Sequence, residues 1–146
     1  MRITYKGDYA LKTILDLALH YGESPVTIHE LSKRSDIPAK FLEQILLDLK
    51  RGGFVESRRG KVGGYLLAKI PSNIKLGEVI RFIDGSIEPI ACVDKKYKGC
   101  TDINKCPFRG IWEDIAEATS KIVDSITFGD LLKKIKKSSL SFVYQI

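Results

Sequence analysis

From Lys6 to Tyr21 the apolar residues Ala10, Leu11, Ile14, Leu17 and Ala18 return every three or four positions, the spacing of one face of an amphipathic helix. Tyr21-Gly22 and Ser24-Pro25 stop it. Thr27 followed by Glu30 has the form of a capping box, so the sequence predicts a second, short helix through Leu31 to about Ser35, closed by a turn at Asp36-Ile37-Pro38. A third helix begins near Pro38, where a missing N–H loses no bond, and runs through Leu42, Ile45, Leu46 and Leu49 until Gly52-Gly53 ends it. Those four side chains face inward. The same periodicity turns Lys40, Glu43, Gln44, Leu47 and Arg51 outward.

Two strand-like runs follow, Phe54 to Arg58 and Tyr65 to Leu67, and the glycine-rich, cationic Arg59-Gly60-Lys61-Val62-Gly63-Gly64 between them predicts a β-hairpin. Beyond Pro71, Val79, Ile80 and Ile83 mark a helix from about Leu76 to Asp84. Helical spacing then lapses. It returns from about Pro107, where Ile111, Trp112, Ile115, Ala116, Thr119, Ile122, Val123 and Ile126 form a long apolar stripe. Such a stripe needs a covering surface, either its own N-terminal domain or, as we prefer, a helix of a second subunit. Thr127 and Asp130 frame another capping box before Leu131, Leu132 and Ile135, predicting a short final helix.

The expected fold is mainly α. A winged helix-turn-helix DNA-binding domain with a small β-hairpin wing occupies residues 1–69, a linker helix and cysteine loop residues 70–106, and a long C-terminal dimerisation helix with a short last helix residues 107–146.

Composition supports a folded chain: 146 residues, 44% hydrophobic and 29% charged, suit one globular domain with an appended helical element. No apolar run approaches the roughly 18–20 residues that cross a bilayer. The start MRITYKGDYA lacks the apolar centre of a secretory signal, so a cytoplasmic protein without membrane association is expected. The net charge is +6, and its distribution matters more: from Lys50 to Lys69 six basic residues, Lys50, Arg51, Arg58, Arg59, Lys61 and Lys69, stand against one acid, Glu56. Such an excess suits double-stranded DNA, although a charge run taken alone more often describes a solvated basic surface.

The outward stripe changes that balance. A major groove admits a helix, and Glu43 can accept from the cytosine amine while Gln44 can satisfy both edges of adenine. Arg59 and Lys61, on a glycine-supported tip, suit a narrow minor groove or adjacent phosphates. Arg2, Lys6, Lys40, Lys50 and Arg58 are the remaining candidate DNA contacts, of the kind that position without specifying.

All three cysteines, Cys92, Cys100 and Cys106, lie in one Lys/Gly/Asp/Asn-rich connection that offers thiols no core to fill, so they read as ligands. Their Cys-x7-Cys-x5-Cys spacing is too loose for a zinc knuckle but acceptable to an iron–sulfur cluster. Zinc, a thiol-only redox switch and a lone disulfide are the alternatives. No histidine follows Cys106, and His20 and His29 read as ordinary residues of the winged domain. Asp8 is a candidate fourth ligand if a dimer brings it over the partner's loop; its simpler role is a helix N-terminal charge. Neither a Cys-x-x-Cys pair nor a Ser/His/Asp or metal-water constellation is visible, so the chain is not expected to be an enzyme.

The run PAKFLEQILLDLKRGGFVESRRGKVGGYLLAK, Pro38 to Lys69, resembles the signature of the Rrf-two family of bacterial winged-helix transcriptional regulators. The likeness begins at MRITYKGDYAL and continues through LGEVIRFIDG, Leu76 to Gly85, to ITFGDLL, Ile126 to Leu132. Family members with three cysteines between the same two helices are iron–sulfur regulators of the IscR type and nitric oxide sensors of the NsrR type, and Cys92, Cys100 and Cys106 match their cluster ligands. The resemblance implies a homodimer whose promoter binding follows cluster occupancy, in iron–sulfur homeostasis or redox sensing. It also implies base reading by Glu43 and Gln44 and a minor-groove contact by Arg59. A nitric oxide-sensing repressor, or a cluster-free regulator answering to a metabolite or to thiols, is the alternative within the same family.

There are departures. The first inter-cysteine gap is longer than in the best-known cluster regulators, and Arg109 stands about where an IscR-type protein has a histidine ligand. Asp8 instead matches the carboxylate position of some NsrR-type proteins. The expected cofactor is a two-iron two-sulfur cluster, with a four-iron four-sulfur form left open.

Overall fold

The computed structural model describes residues 1–144, with side chains described through residue 139. Helix α1 (Tyr5–Leu19) begins at Thr4, whose hydroxyl accepts from the Gly7 N–H at 3.0 Å, and it buries Ala10, Ile14, Leu17 and Ala18. Helix α2 (Ile28–Ser35) carries the predicted capping box. Thr27 Oγ1 accepts from the Glu30 N–H at 3.2 Å, and the Glu30 carboxylate accepts from the Thr27 N–H at 2.9 Å. Asp36 then takes a left-handed conformation, φ 53° and ψ 41°, which aspartate tolerates better than most residues, and turns the chain into α3 (Ala39–Arg51).

Leu42, Ile45, Leu46 and Leu49 of α3 are buried as their spacing requires. Strands β1 (Val55–Arg58) and β2 (Gly64–Leu67) pair antiparallel, with Val55 opposite Leu67 and Arg58 opposite Gly64. Val26 adds a bridge to Tyr65, and the neighbouring position must be glycine: a Cβ on Gly64 would lie 2.5 Å from the Val26 carbonyl oxygen. One hydrophobic core joins side chains of α1, α2, α3 and the hairpin with Ile74, Val79 and Phe128.

Helix α4 (Leu76–Asp84) has the bounds its sequence predicts, and it ends at Gly85 with φ +85°. Helix α5 (Arg109–Ser125) packs on it, held by the Arg81 guanidinium, which donates to both Asp124 carboxylate oxygens at 2.6 and 2.9 Å. The Leu76 N–H donates to Ile126 O at 2.9 Å and the Phe128 N–H to Ile74 O at 3.0 Å, so the chain entering α4 and the chain leaving α5 are tied side by side.

The last helix is longer than its sequence predicts. Helix α6 (Phe128–Tyr144) spans 17 residues rather than a short turn or two. Its start is the predicted Thr127/Asp130 capping box, and Phe128, Leu131 and Leu132 dock into the main core. Past Ile135 the chain turns lysine- and serine-rich, which removes the apolar period that signals a helix although lysine itself is a good helix former. Residues 145 and 146, the end of the expected 107–146 segment, lie outside the described residues. Among the described residues no helix is long and apolar enough to cross a membrane.

Candidate functional site

Helix α3 presents Lys40, Glu43, Gln44 and Arg51 to solvent as its periodicity requires, together with half-exposed Leu47 and Phe41. Lys40 and Glu43 have no hydrogen-bond or ion-pair partner among the described residues. Gln44 does: its Nε2 donates to Asp48 Oδ1 at 3.2 Å. The hairpin tip carries Arg59 and Lys61, both exposed and equally without such a partner among the described residues.

Three other candidate cations are already engaged within the fold. Lys6 Nζ lies 2.6 Å from Asp48 Oδ2, Lys50 Nζ donates to Ser57 Oγ at 2.7 Å, and Arg58 donates to Glu56 Oε1 at 3.1 Å. The hydrogen bond from Lys6 holds the Asp48 carboxyl below its ordinary range, with Gln44 and Arg51 acting in the same direction against burial. Arg2 is exposed at the rim of a hollow shared with Ile3, Thr4, Tyr5 and Asp8.

An aromatic wall beside this face was not legible from periodicity. Tyr5, Tyr9 and Phe41 follow one another as a series of tilted rings, centroids 6.4 and 6.1 Å apart, around a cavity of about 480 Å³ that Lys6, Gln44 and Ile45 complete. The available signal was that Tyr5 and Phe41 are large apolar residues lying off the core-facing stripe of their helices.

The cysteines occupy the connection between α4 and α5. From residue 85 to residue 108 only Ile87 is buried, and the regular structure is a 3₁₀ turn, Ala91–Val93, that carries Cys92. All three thiols are free; Cys92 and Cys106 are partly covered and Cys100 is exposed. Among the described residues no group of three or more His, Cys, Asp or Glu side chains is gathered to hold a metal, so the fold of one chain does not bring the four expected ligands together. As a donor set, three unbonded thiols on a loop with a single buried side chain fit a soft metal or iron–sulfur centre. Asp8 lies in the first turn of α1 and pairs with Lys12 at 2.7 Å. Arg109 opens α5, donating to Glu113 Oε1 at 2.8 Å and to Ile103 O at 3.4 Å, so it braces the end of the loop.

The start of the loop is also anchored. Asp84, the last residue of α4, accepts hydrogen bonds from the Thr4 N–H at 3.0 Å and from the Thr4 hydroxyl. One carboxylate thus joins the root of the cysteine loop to the N-cap of α1.

The apolar stripe of α5 divides into two. Ala116 and Val123 are buried, with Trp112 and Thr119 partly so, while Ile111, Ile115 and Ile122 stand open on the adjacent face, beside exposed Phe108.

The family described as Rrf2, iron-dependent transcriptional regulator, matches residues 3–134. The HTH-type transcriptional regulator IscR of Yersinia pseudotuberculosis is 39% identical over 132 residues, which cover 90% of this chain and 79% of that protein. Among solved structures, T. potens IscR superposes with a TM-score of 0.76 at 32% identity, over 94% of this chain and 90% of its own. CymR (YrzC), the global cysteine regulator of B. subtilis, superposes with a TM-score of 0.77 at 30% identity, over 92% and 98%.

Proposed function

Because the chain belongs to the Rrf2 family of iron-dependent transcriptional regulators, which are not enzymes, we propose that it is a sequence-specific DNA-binding regulator whose promoter binding is controlled by an iron–sulfur cluster. Cys92, Cys100 and Cys106 would hold the cluster, with Asp8 of a second subunit as the fourth ligand and the two-iron two-sulfur form as the favoured type. The observation that carries this reading is the set of three free thiols on one thinly packed loop whose root is fastened by Asp84 to the start of α1. When bound, such a cluster supplies a centre sensitive to oxygen, to nitric oxide and to iron supply.

The protein's own residues supply the rest. Glu43 and Gln44 read base edges, Arg59 and Lys61 enter the minor groove, and Arg2, Lys40, Lys50 and Arg58 meet phosphates of double-stranded operator DNA. Lys6 reaches the backbone only by leaving Asp48. The open stripe of Ile111, Ile115 and Ile122 joins two copies into a homodimer, giving two reading heads in the cytoplasm. Ordering the loop stiffens the Asp84–Thr4 contact, and a freed loop shifts the population away from one spacing of the heads.

The likeness to CymR favours a second reading, a cluster-free regulator that answers to a metabolite or to thiol chemistry. One experiment separates the two. Protein purified without air and its Cys92→Ala/Cys100→Ala/Cys106→Ala variant are assayed for iron, sulfide and visible absorption, then for binding to the same promoters at fixed salt. Coloured wild type, colourless variant and a changed promoter preference are expected. Wild-type protein that holds neither iron nor sulfide and resists reconstitution would leave the cluster-free reading standing.

A further inference from the structure

Gln44 meets DNA with its amide already half spent. A carboxylate only accepts hydrogen bonds, so the amide edge turned to Asp48 Oδ1, 3.2 Å away, has to be the nitrogen; the flipped amide would set oxygen against oxygen. The carboxylate is itself held fast. Its other oxygen, Oδ2, is shielded from solvent and takes Lys6 Nζ from α1 at 2.6 Å, while Arg51 approaches Oδ1 at 3.7 Å. These two cations also offset a negative charge that would otherwise repel phosphates from the exposed face of α3. The aromatic wall of Tyr5, Tyr9 and Phe41 borders Gln44.

We propose that Asp48, locked by Lys6, is a positioning residue that fixes the orientation of the Gln44 amide and so makes α3 prefer adenine to guanine at one base pair. With one N–H committed to Asp48, Gln44 keeps one donor and one acceptor. Adenine offers a matching acceptor and donor, N7 and the N6 amine. Guanine offers two acceptors, N7 and O6, and needs two donors. Lys6 thereby serves specificity through Asp48 instead of acting as one more phosphate contact.

The inference rests on α3 being the reading helix, and the test keeps the two apart. Full-length protein isolated without air selects from a double-stranded library with a randomised core, at fixed salt, as wild type, Gln44→Ala and Asp48→Asn. Wild type should select adenine at one position, and Gln44→Ala should flatten that position. In Asp48→Asn the introduced amide can donate to Gln44 Oε1 and release both Gln44 N–H groups, so the adenine-to-guanine ratio there should fall about tenfold. An unchanged ratio in Asp48→Asn, with the position flattened in Gln44→Ala, overturns the inference alone. A wild-type motif in Gln44→Ala overturns the assignment of α3 and the inference with it. Because Asp48→Asn leaves Lys6 without its counter-charge, Lys6→Met/Asp48→Ala repeats the selection with neither charge and no acceptor beside Gln44 and should lose the same discrimination; retention there also overturns the inference. A role confined to helix stability would move the thermal melt of these variants and leave the ratio intact.

Discussion

The winged head and the cysteine loop, joined by the Asp84–Thr4 hydrogen bonds and by the cluster that packs Ile87 with Ile3 and Leu11, are built on opposite plans. In the head, α1, α2, α3 and the hairpin surround one continuous apolar core, and Ile14, Leu31, Leu42, Leu46 and Leu49 have no accessible surface left. In the loop, residues 85–108 bury one side chain, and the three thiols are the chemically distinctive groups it carries. The difference shows where each region finds its order. A groove reader has to hold its side chains in fixed geometry before DNA arrives, which dense packing provides. A segment with little core of its own takes its shape from whatever it binds, which is the property a sensor needs.

Stability should follow the same division, and the largest effect lies there. Leu46→Ala should destabilise the protein by about 2–5 kcal/mol in urea denaturation, whereas Val93→Ala in the loop should stay within about 0.5 kcal/mol. A loop substitution as damaging as the core one would mean that the loop carries hidden packing, and the contrast would fail.

Within the head, specificity and affinity should separate next. Gln44→Ala should weaken binding to the selected site by about 1–3 kcal/mol and relax one base pair. Lys50→Ala should weaken all sequences alike and reduce the salt slope by about one. Titration at several salt concentrations reads both, and a Lys50 effect confined to one sequence would reverse their roles.

The smallest effect is at the seam between α4 and α5, the two helices that flank the loop. Hydrogen bonds from Arg81 hold the Asp124 carboxyl below its ordinary value of 3.8. A carboxyl lowered in the folded state adds stability that is complete above its unfolded pKa and is lost as pH falls through the folded one. The difference in melting temperature between wild type and Asp124→Asn should therefore be constant near neutrality and shrink below about pH 4. With side chains 37% and 38% exposed, this pair is screened and its contribution is modest. A difference that persists unchanged in acid would show that the ion pair is not what holds α5 on α4.

The head was legible in the sequence because local signals set it. Thr27 and Glu30 announce the start of α2, Gly52-Gly53 the end of α3, and four apolar residues at helical spacing its buried face. The bounds of α4 were legible for the same reason. What escaped depends on contacts between residues far apart in the chain. Lys6 reads as a free cation until the fold places Asp48 against it, and the stripe of α5 reads as one face until the fold buries Ala116 and Val123 but leaves Ile111, Ile115 and Ile122 open. The Asp84–Thr4 contact spans 80 positions and leaves no periodic trace. Three neighbouring cysteines mark the loop, but spacing alone does not close it around anything.

The paired backbone hydrogen bonds at Ile74–Leu76 and Ile126–Phe128 give the region between them the character of an interchangeable cassette. Both of its ends are fastened at one spot on the head, so residues added or removed between Gly85 and Phe108 alter what the cassette can hold without displacing the groove-facing surface. A single scaffold of this kind can be refitted for different signals by rewriting one stretch of chain.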